Sequence, residues 1–187
     1  MYHLSSTEMR EREKQMTDYV NGLIEPARGY GAIYRRADDR VTGFIATIGL
    51  PKLGYPDLVI SGTIDAIVRQ HRDFIDSIAS EMFNGPTLGV IDPDDFVDLI
   101  DGFLEARGYK ETVKAVLINT DQFVNGYGLN SGRYYKANGI TDATIIQLVA
   151  CIKPNVYQEK STASQTLYET QPFGKKEQPD ASVLLDA

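Results

Sequence analysis

Apolar residues follow two kinds of pattern along this chain, short continuous runs and sets spaced by three or four positions. Two of the short runs, residues 44–49 and 58–61, lie on either side of a loop that contains Pro51, Gly54 and Pro56. Apolar runs of this length, bounded by glycine and proline, are typical of buried strands. We therefore predict two neighbouring strands here, around which the rest of the chain is organised.

Further runs rich in β-branched and aromatic residues predict more strands. They lie at residues 32–36, 112–118 and 143–152, with a shorter run at 88–91. The first of them leads through a short polar turn into residues 41–48, so this pair is predicted to form a hairpin. The run at 143–152 is nearly free of charge, which predicts a central strand.

Helical spacing of apolar residues predicts two amphipathic helices, at 63–83 and 93–107. The apolar face of the first contains Ile64, Ile67, Val68, Phe74, Ile75, Ile78, Ala79 and Met82, and that of the second contains Phe96, Leu99, Ile100, Phe103 and Leu104. The patterns together predict an α+β fold, in which a mostly antiparallel sheet of about five to six strands is packed by these two helices. An N-terminal helix and an extended C-terminal tail complete it.

The two ends of the chain differ from its centre in composition. A highly charged helix is predicted at 5–24, with capping-box spacing between Ser5 and Glu8, and it is expected to lie on the surface or to contact a partner. The last thirty residues are rich in Ser, Thr, Gln, Pro and Lys, which predicts a tail that either wanders or docks on the domain or on a neighbouring subunit. We divide the chain into an N-terminal helical segment (1–28), an α+β core domain (29–155) and a polar C-terminal tail (156–187).

Composition and charge narrow the classes of function. The chain has 187 residues, of which 42% are hydrophobic and 24% charged, and this suits one domain with a real core. The net charge of −7 disfavours nucleic acid as a partner, because such binding depends on Lys and Arg. Since no apolar run approaches the roughly 20 residues that cross a bilayer and the N-terminus lacks the apolar stretch of a signal peptide, we expect a cytoplasmic protein that is not bound to membranes.

The sequence contains no diagnostic catalytic, cofactor or metal motif. The two histidines, His3 and His71, are too few for a multi-histidine metal site, and a lone histidine on an apolar helix face is typical of packing. The acidic run that starts at Asp92 has Val97 and Phe103 where a calcium loop needs glycine and glutamate. Cys151 lies in an apolar run, as buried inert thiols do. We predict no metal site and no cofactor, and the sequence assigns no catalytic residue.

Candidate ligand-binding residues lie mainly in two polar segments. One is the loop at 51–57, and the other is the segment at 119–139, which mixes glycine, asparagine and aromatic residues and is predicted to be a long loop. Such loops often carry function, and tyrosine with arginine suits a planar or anionic ligand as well as a protein interface. The candidates are Tyr55, Asp57, Arg133, Tyr134, Tyr135, the strand residue Gln147, and Arg36, which lies with Arg35 and Arg40 beside the hairpin turn.

A family resemblance rests on the segments GFIATIGL, YPDLVISG, GRYY and IIQLVACIKP. With these segments, which extend over about residues 30–155, the chain resembles the family catalogued as domain of unknown function 4262, found mainly in bacteria and their phages. The chain has Tyr55 where members commonly have histidine, and Lys153-Pro154-Asn155 where they have a proline-aspartate and glycine segment. The resemblance implies a compact α+β domain and supplies no activity.

Three functions are compatible with these observations. The favoured one is a noncatalytic binding or interaction protein, such as a bacterial or phage accessory factor, that binds a protein partner, a second copy of itself or a small anionic ligand. The second is an enzyme acting on a small anionic or nucleotide-like ligand, with Asp57 as general base and Arg133 or Arg36 as anion clamp. The third is an architectural subunit, whose first helix and tail clasp neighbouring subunits.

Overall fold

Five strands form one mixed sheet within residues 5–38, 42–84 and 92–150, the part of the chain that this computed structural model describes. The strands are β1 (Gly31–Arg35), β2 (Phe44–Ile48), β3 (Asp57–Ser61), β4 (Val113–Leu117) and β5 (Ile145–Ala150). The helices in these ranges are α1 (Ser6–Gly22), α2 (Val68–Asn84), α3 (Pro93–Ala106), α4 (Thr120–Gly126) and α5 (Leu129–Ala137), and a short 3₁₀ helix spans Leu50–Leu53. The α+β fold is therefore as predicted.

The strand order in the sheet is β1-β2-β3-β5-β4. β1 and β2 form the predicted antiparallel hairpin, and β2 and β3 are antiparallel neighbours, with Ile45 opposite Ile60. β5 lies between β3 and β4, parallel to the first and antiparallel to the second. This confirms the mostly antiparallel sheet and the central position predicted for the uncharged run.

Helices α2 and α3 cover one face of the sheet, as their apolar spacing predicted. Their buried residues are Ile75, Ile78, Ala79 and Met82 of α2 with Phe96, Ile100 and Leu104 of α3, and they pack on Leu58, Ile60, Ile146 and Leu148 of the central strands. The Asp92 side chain caps α3 by accepting a hydrogen bond from the Asp94 N–H group. This face holds the larger of the two apolar clusters in the described part of the chain.

The opposite face is covered by α1, α4 and α5, a layer that the sequence did not predict in full. Its cluster contains Val20 of α1, Phe123 of α4 and Tyr134 and Tyr135 of α5, packed on Ala46, Ile48, Val59 and Ile145. The prediction of one long loop at 119–139 was wrong, because Asn119 caps α4 and Gly128 lets α5 start directly after it. A Cβ atom at Gly128 would lie 2.3 Å from Phe123 Cε1, so this close approach requires glycine.

The start of α1 is as predicted, whereas the start of α2 is not. α1 begins with the predicted capping box between Ser5 and Glu8. α2 begins at Val68 rather than at residue 63, because Thr63 is buried and bonds the backbone of the preceding strand. The Thr63 hydroxyl also lies 2.9 Å from His71 Nδ1, and burial lowers the His71 pKa, as expected for a packed histidine.

Several predictions concern residues outside the described ranges: the strand at 88–91, Asp39 and Arg40 at the hairpin turn, His3, Cys151 and the tail at 156–187. Across the described ranges, none of the helices combines the length and apolar character that crossing a membrane requires. In the same ranges, no three His, Cys, Asp or Glu side chains lie together in a way that could hold a metal ion.

Candidate functional site

Asp57 is the centre of a buried hydrogen-bond network on the edge where β2 ends. Asp57 is only 1% exposed. Its carboxylate accepts hydrogen bonds from Thr47 Oγ1 at 2.9 Å and from Tyr135 Oη at 2.5 Å. The backbone N–H groups of Gly49 and Leu50 donate to it at 3.4 and 3.2 Å. Asp57 thus joins the end of β2, the start of the 3₁₀ helix and α5.

The local sequence explains how these four donors converge. Gly49 has a φ of 104°, a left-handed conformation that glycine adopts readily, and it turns the chain sharply after β2. This turn directs two successive N–H groups at the first residue of β3. The Thr47 hydroxyl also accepts a hydrogen bond from the Leu58 N–H group at 2.8 Å, so it acts as both donor and acceptor.

Burial and hydrogen bonding act in opposite directions on Asp57. Burial raises its pKa to about 6, against the lowering effect of the donors, of which the Tyr135 hydroxyl is the strongest. Burial and the neighbouring Asp57 charge raise the pKa of Tyr135 well above its ordinary value, so this phenol stays protonated and donates a hydrogen bond to the carboxylate. The geometry gives Asp57 an anchoring role, since all four donors are fixed parts of the protein.

A separate cleft of about 410 Å³ lies between the end of β1 and the junction of α4 and α5. We call it the arginine cleft. Its lining residues are Ile33, Tyr34, Arg35, Arg36, Phe44, Tyr127, Gly128, Leu129, Asn130, Ser131 and Arg133. Its volume falls in the range of about 300 to 1,000 Å³ that is common for small-molecule sites.

The three arginines of the cleft are held by different partners. Arg35 donates a hydrogen bond to the Tyr127 carbonyl oxygen at 3.0 Å and lies 3.6 Å from the Asp38 carboxylate. Arg36 forms an ion pair of 2.6 Å with Asp65, which also accepts a hydrogen bond from the Tyr34 hydroxyl.

Arg133 differs from the other two, because among the described residues its hydrogen-bond partner is the neutral Asn130, whose Oδ1 lies 3.2 Å from Nη1. Its side chain is exposed. The cleft lining contains no carboxylate within the described part of the chain. Arg133 therefore contributes a positive charge that no carboxylate of residues 5–38, 42–84 and 92–150 pairs with.

The first turn of α5 adds to the positive character of the cleft. Gly128 is the N-cap of α5 and has no side chain that could accept hydrogen bonds from the helix. The first N–H groups of a helix have no partner within it, and the helix dipole makes this end electropositive. Leu129, Asn130 and Ser131, which follow Gly128, all line the cleft. A helix start beside three guanidinium groups suits a bound anion.

The predicted site residues fall into several places. Arg36 and Arg133 line the arginine cleft. Asp57 and Tyr135 bond each other inside the protein, and Tyr134 packs beside Tyr135 with a ring-centroid distance of 6.4 Å. Asp57 does not line the cleft. The catalytic base and the anion clamp of the enzyme hypothesis therefore do not share one pocket.

Tyr55 and Gln147 belong to neither place. Tyr55 packs against Phe83 and Phe96, at centroid distances of 5.0 and 6.4 Å, beside the cluster under α2 and α3. Gln147 is fully buried in β5, where its Nε2 donates a hydrogen bond to Ser61 Oγ at 3.0 Å. Both side chains serve packing in this structure.

Some residues of the arginine cleft and of the Asp57 network were not among the candidates chosen from the sequence. Tyr34, Tyr127, Asn130 and Ser131 were not selected, because no local pattern indicates that the hairpin end meets the start of α5. Thr47 could have been found, since it is the only hydroxyl residue within the apolar run at 44–49 and a buried hydroxyl needs a partner.

Comparisons of the chain with family models, with curated proteins and with solved structures find no match. The resemblance to the domain of unknown function 4262 family therefore stays a prediction. The function has to be argued from the geometry of the chain itself.

Proposed function

We propose that this protein is a binding protein without catalytic activity, and that it binds a small anionic ligand in the arginine cleft. The observation that carries this proposal is the convergence of Arg35, Arg36 and Arg133 with the uncapped start of α5 around one cavity. Guanidinium groups bind carboxylates and phosphates through paired hydrogen bonds. The ligand we propose therefore carries a phosphate or a carboxylate.

The charge of the whole chain supports a specific role for this cleft. The chain carries a net charge of −7, so its average field repels anions. Arg35 and Arg36 are paired with aspartates, but Arg133 has no carboxylate partner among the described residues and gives the cleft a positive charge that runs against that average. Such a local reversal of charge is expected where an anion has to be bound.

The position of Asp57 supports binding over catalysis. A general base must come within about 3 Å of the proton that it removes, directly or through one water molecule. Asp57 is 1% exposed, and its oxygens are occupied by Thr47, Tyr135 and two backbone N–H groups. Burial raises the pKa of Asp57. The same burial keeps its carboxylate out of reach of a ligand in the cleft.

A second candidate function, contact with a protein partner or with a second copy, is supported by α1. Residues 5–15 are all exposed, and Met9 and Tyr19 of this helix are 54% and 53% exposed. Short isolated helices are marginal in water unless one face packs on something. The acidic composition and the family resemblance support an accessory protein in the cytoplasm of a bacterium or of a phage-infected cell.

Thermal shift of the full chain with a panel of carboxylates and phosphorylated metabolites tests the first proposal. An anion present at 100 times its dissociation constant stabilises the folded state by about 2.7 kcal/mol, which is readily measured. We expect stabilisation by at least one anion and its loss in Arg133→Ala. The matched control is Arg69→Ala, which removes the same charge from the exposed surface of α2. A panel without any stabilising anion, or equal losses in both variants, would contradict the proposal.

Light scattering tests the second candidate. We expect an oligomer whose mass falls to that of the monomer when Met9 and Tyr19 are both changed to lysine. A monomeric mass of the unmodified chain at all concentrations would exclude self-association through α1. A pull-down that compares the unmodified chain with the doubly substituted variant would then test for a different protein partner.

A further inference from the structure

The arginine cleft contains apolar surface as well as charge. Leu129, the first residue of α5, lines it and is 48% exposed, so its side chain offers apolar surface to the cleft. The half-buried Tyr34 and Tyr127 also line the cleft, whereas Ile33 and Phe44, which line it as well, are buried and offer it little surface. Small-molecule sites commonly combine such apolar walls with a few placed polar groups.

The net charge of the cleft indicates which class of anion it would bind. Arg35 and Arg36 each pair with an aspartate, whereas Arg133 pairs with the neutral Asn130 among the described residues. One full positive charge is thus uncompensated, and the start of α5 adds roughly half a charge. A phosphate monoester carries about −1.5 to −2 near neutral pH, which matches this sum.

Other anions match the cleft less well. A polyphosphate would bring more negative charge than the cleft compensates. Inorganic phosphate would fit the charge, but it would leave Leu129 and the tyrosine rings in contact with water. A carboxylate carries only one negative charge and offers two oxygens, fewer than the several donors around the cleft can use.

We infer that the ligand of the arginine cleft is a phosphate monoester with an apolar ring, the class to which aryl phosphates belong. This inference rests on the proposed function, because the same arginines bind the anionic group. The phosphate lies against the Arg133 guanidinium and the first-turn N–H groups of α5, where paired hydrogen bonds can form. The ring lies against Leu129.

Isothermal titration calorimetry of the full chain with phenyl phosphate, inorganic phosphate and benzoate tests this inference. We expect phenyl phosphate to bind at least about tenfold more tightly than inorganic phosphate, because it also removes apolar surface from water. Benzoate, which keeps the ring but lowers the charge, is expected to bind more weakly than phenyl phosphate.

Two pairs of variants separate the phosphate from the ring. Arg133→Ala should weaken phenyl phosphate roughly ten- to a hundredfold, and Arg69→Ala, with the same loss of charge, should not. Leu129→Ala should weaken phenyl phosphate roughly four- to tenfold and leave inorganic phosphate unchanged. Its matched control is Leu53→Ala, a leucine that is 40% exposed and lies outside the cleft. Circular dichroism checks that all four variants are folded.

The outcomes distinguish the inference from the proposed function. Equal affinity for phenyl and inorganic phosphate, tighter binding of benzoate, or no effect of Leu129→Ala would overturn the ligand class and leave anion binding in place. If none of the anions in this titration and in the thermal-shift panel bound, both the inference and the proposed function would be wrong.

Discussion

Replacing Asp57 by asparagine should change how the stability of the protein depends on pH. The pKa of Asp57 is raised by burial from 3.8 to about 6 in the folded protein, so the folded state holds a proton that the unfolded state has released between these values. Stability therefore falls as pH rises through this window. At about 1.4 kcal/mol per pH unit, and because the unfolded state has already lost part of its proton at pH 4, the Asp57 carboxylate reduces the free energy of unfolding by about 2 kcal/mol near pH 7 relative to pH 4.

Urea unfolding of the original chain and of Asp57→Asn, followed by circular dichroism at about pH 4 and about pH 7, measures this effect. The variant lacks the titrating group, so the difference in unfolding free energy should shift by about 2 kcal/mol in favour of the variant over this range. Because the shift compares two pH values, it does not depend on how well asparagine fits the site at any one pH.

Two further variants test the same reasoning. Asp65→Asn should shift the difference in the opposite direction and mainly below about pH 4, because the Tyr34 hydrogen bond and Arg36 lower the pKa of this exposed carboxylate from 3.8. Tyr135→Phe removes the strongest donor to Asp57, so its destabilising effect should be larger at pH 7, where the carboxylate is ionised, than at pH 4. A difference between the original chain and Asp57→Asn that stays constant across the range would refute a buried carboxylate with a raised pKa.

Further predictions concern single substitutions that change packing or hydrogen bonding. Gly128→Ala should destabilise the protein by about 1 to 3 kcal/mol in urea unfolding, because its Cβ would overlap the Phe123 ring. In the same assay Gly102→Ala should stabilise by about 0.5 to 1 kcal/mol, since nothing lies within 4 Å of its Cβ position in α3, and a loss of stability would contradict this reasoning. Thr47→Val should cost about 1 to 3 kcal/mol by leaving Asp57 and the Leu58 N–H group short of a partner, and an unchanged unfolding free energy would contradict the network.

The sheet and one helical layer could be predicted from the sequence because their signals are local. Uninterrupted apolar runs marked the strands, and spacings of three and four residues marked α2 and α3. The helices α4 and α5 gave no such signal, since they have seven and nine residues and their glycines are typical of loops. Their buried residues Phe123, Tyr134 and Tyr135 share an apolar cluster with Ile145 and Val59, so packing on the sheet, a tertiary effect, stabilises these short helices.

The candidate site could be predicted only in part for the same reason. Arg36 and Arg133 were selected for their chemistry, and both line the cleft. The cleft itself depends on a contact between Arg35 and Tyr127, which are 92 positions apart. The bond between Asp57 and Tyr135 spans 78 positions. No local pattern carries information at such separations, so the division into a buried anchor and an open cleft required the fold.

The most direct test of anion binding in the arginine cleft is a titration of the ¹⁵N-labelled full chain with phenyl phosphate, followed by backbone amide and arginine Nε chemical shifts. The account predicts that the largest shift changes occur at residues 128–133 and 34–36, that they saturate, and that Arg133→Ala weakens them while Arg69→Ala does not. Shift changes that are scattered over the surface, that concentrate elsewhere, or that do not saturate would contradict it.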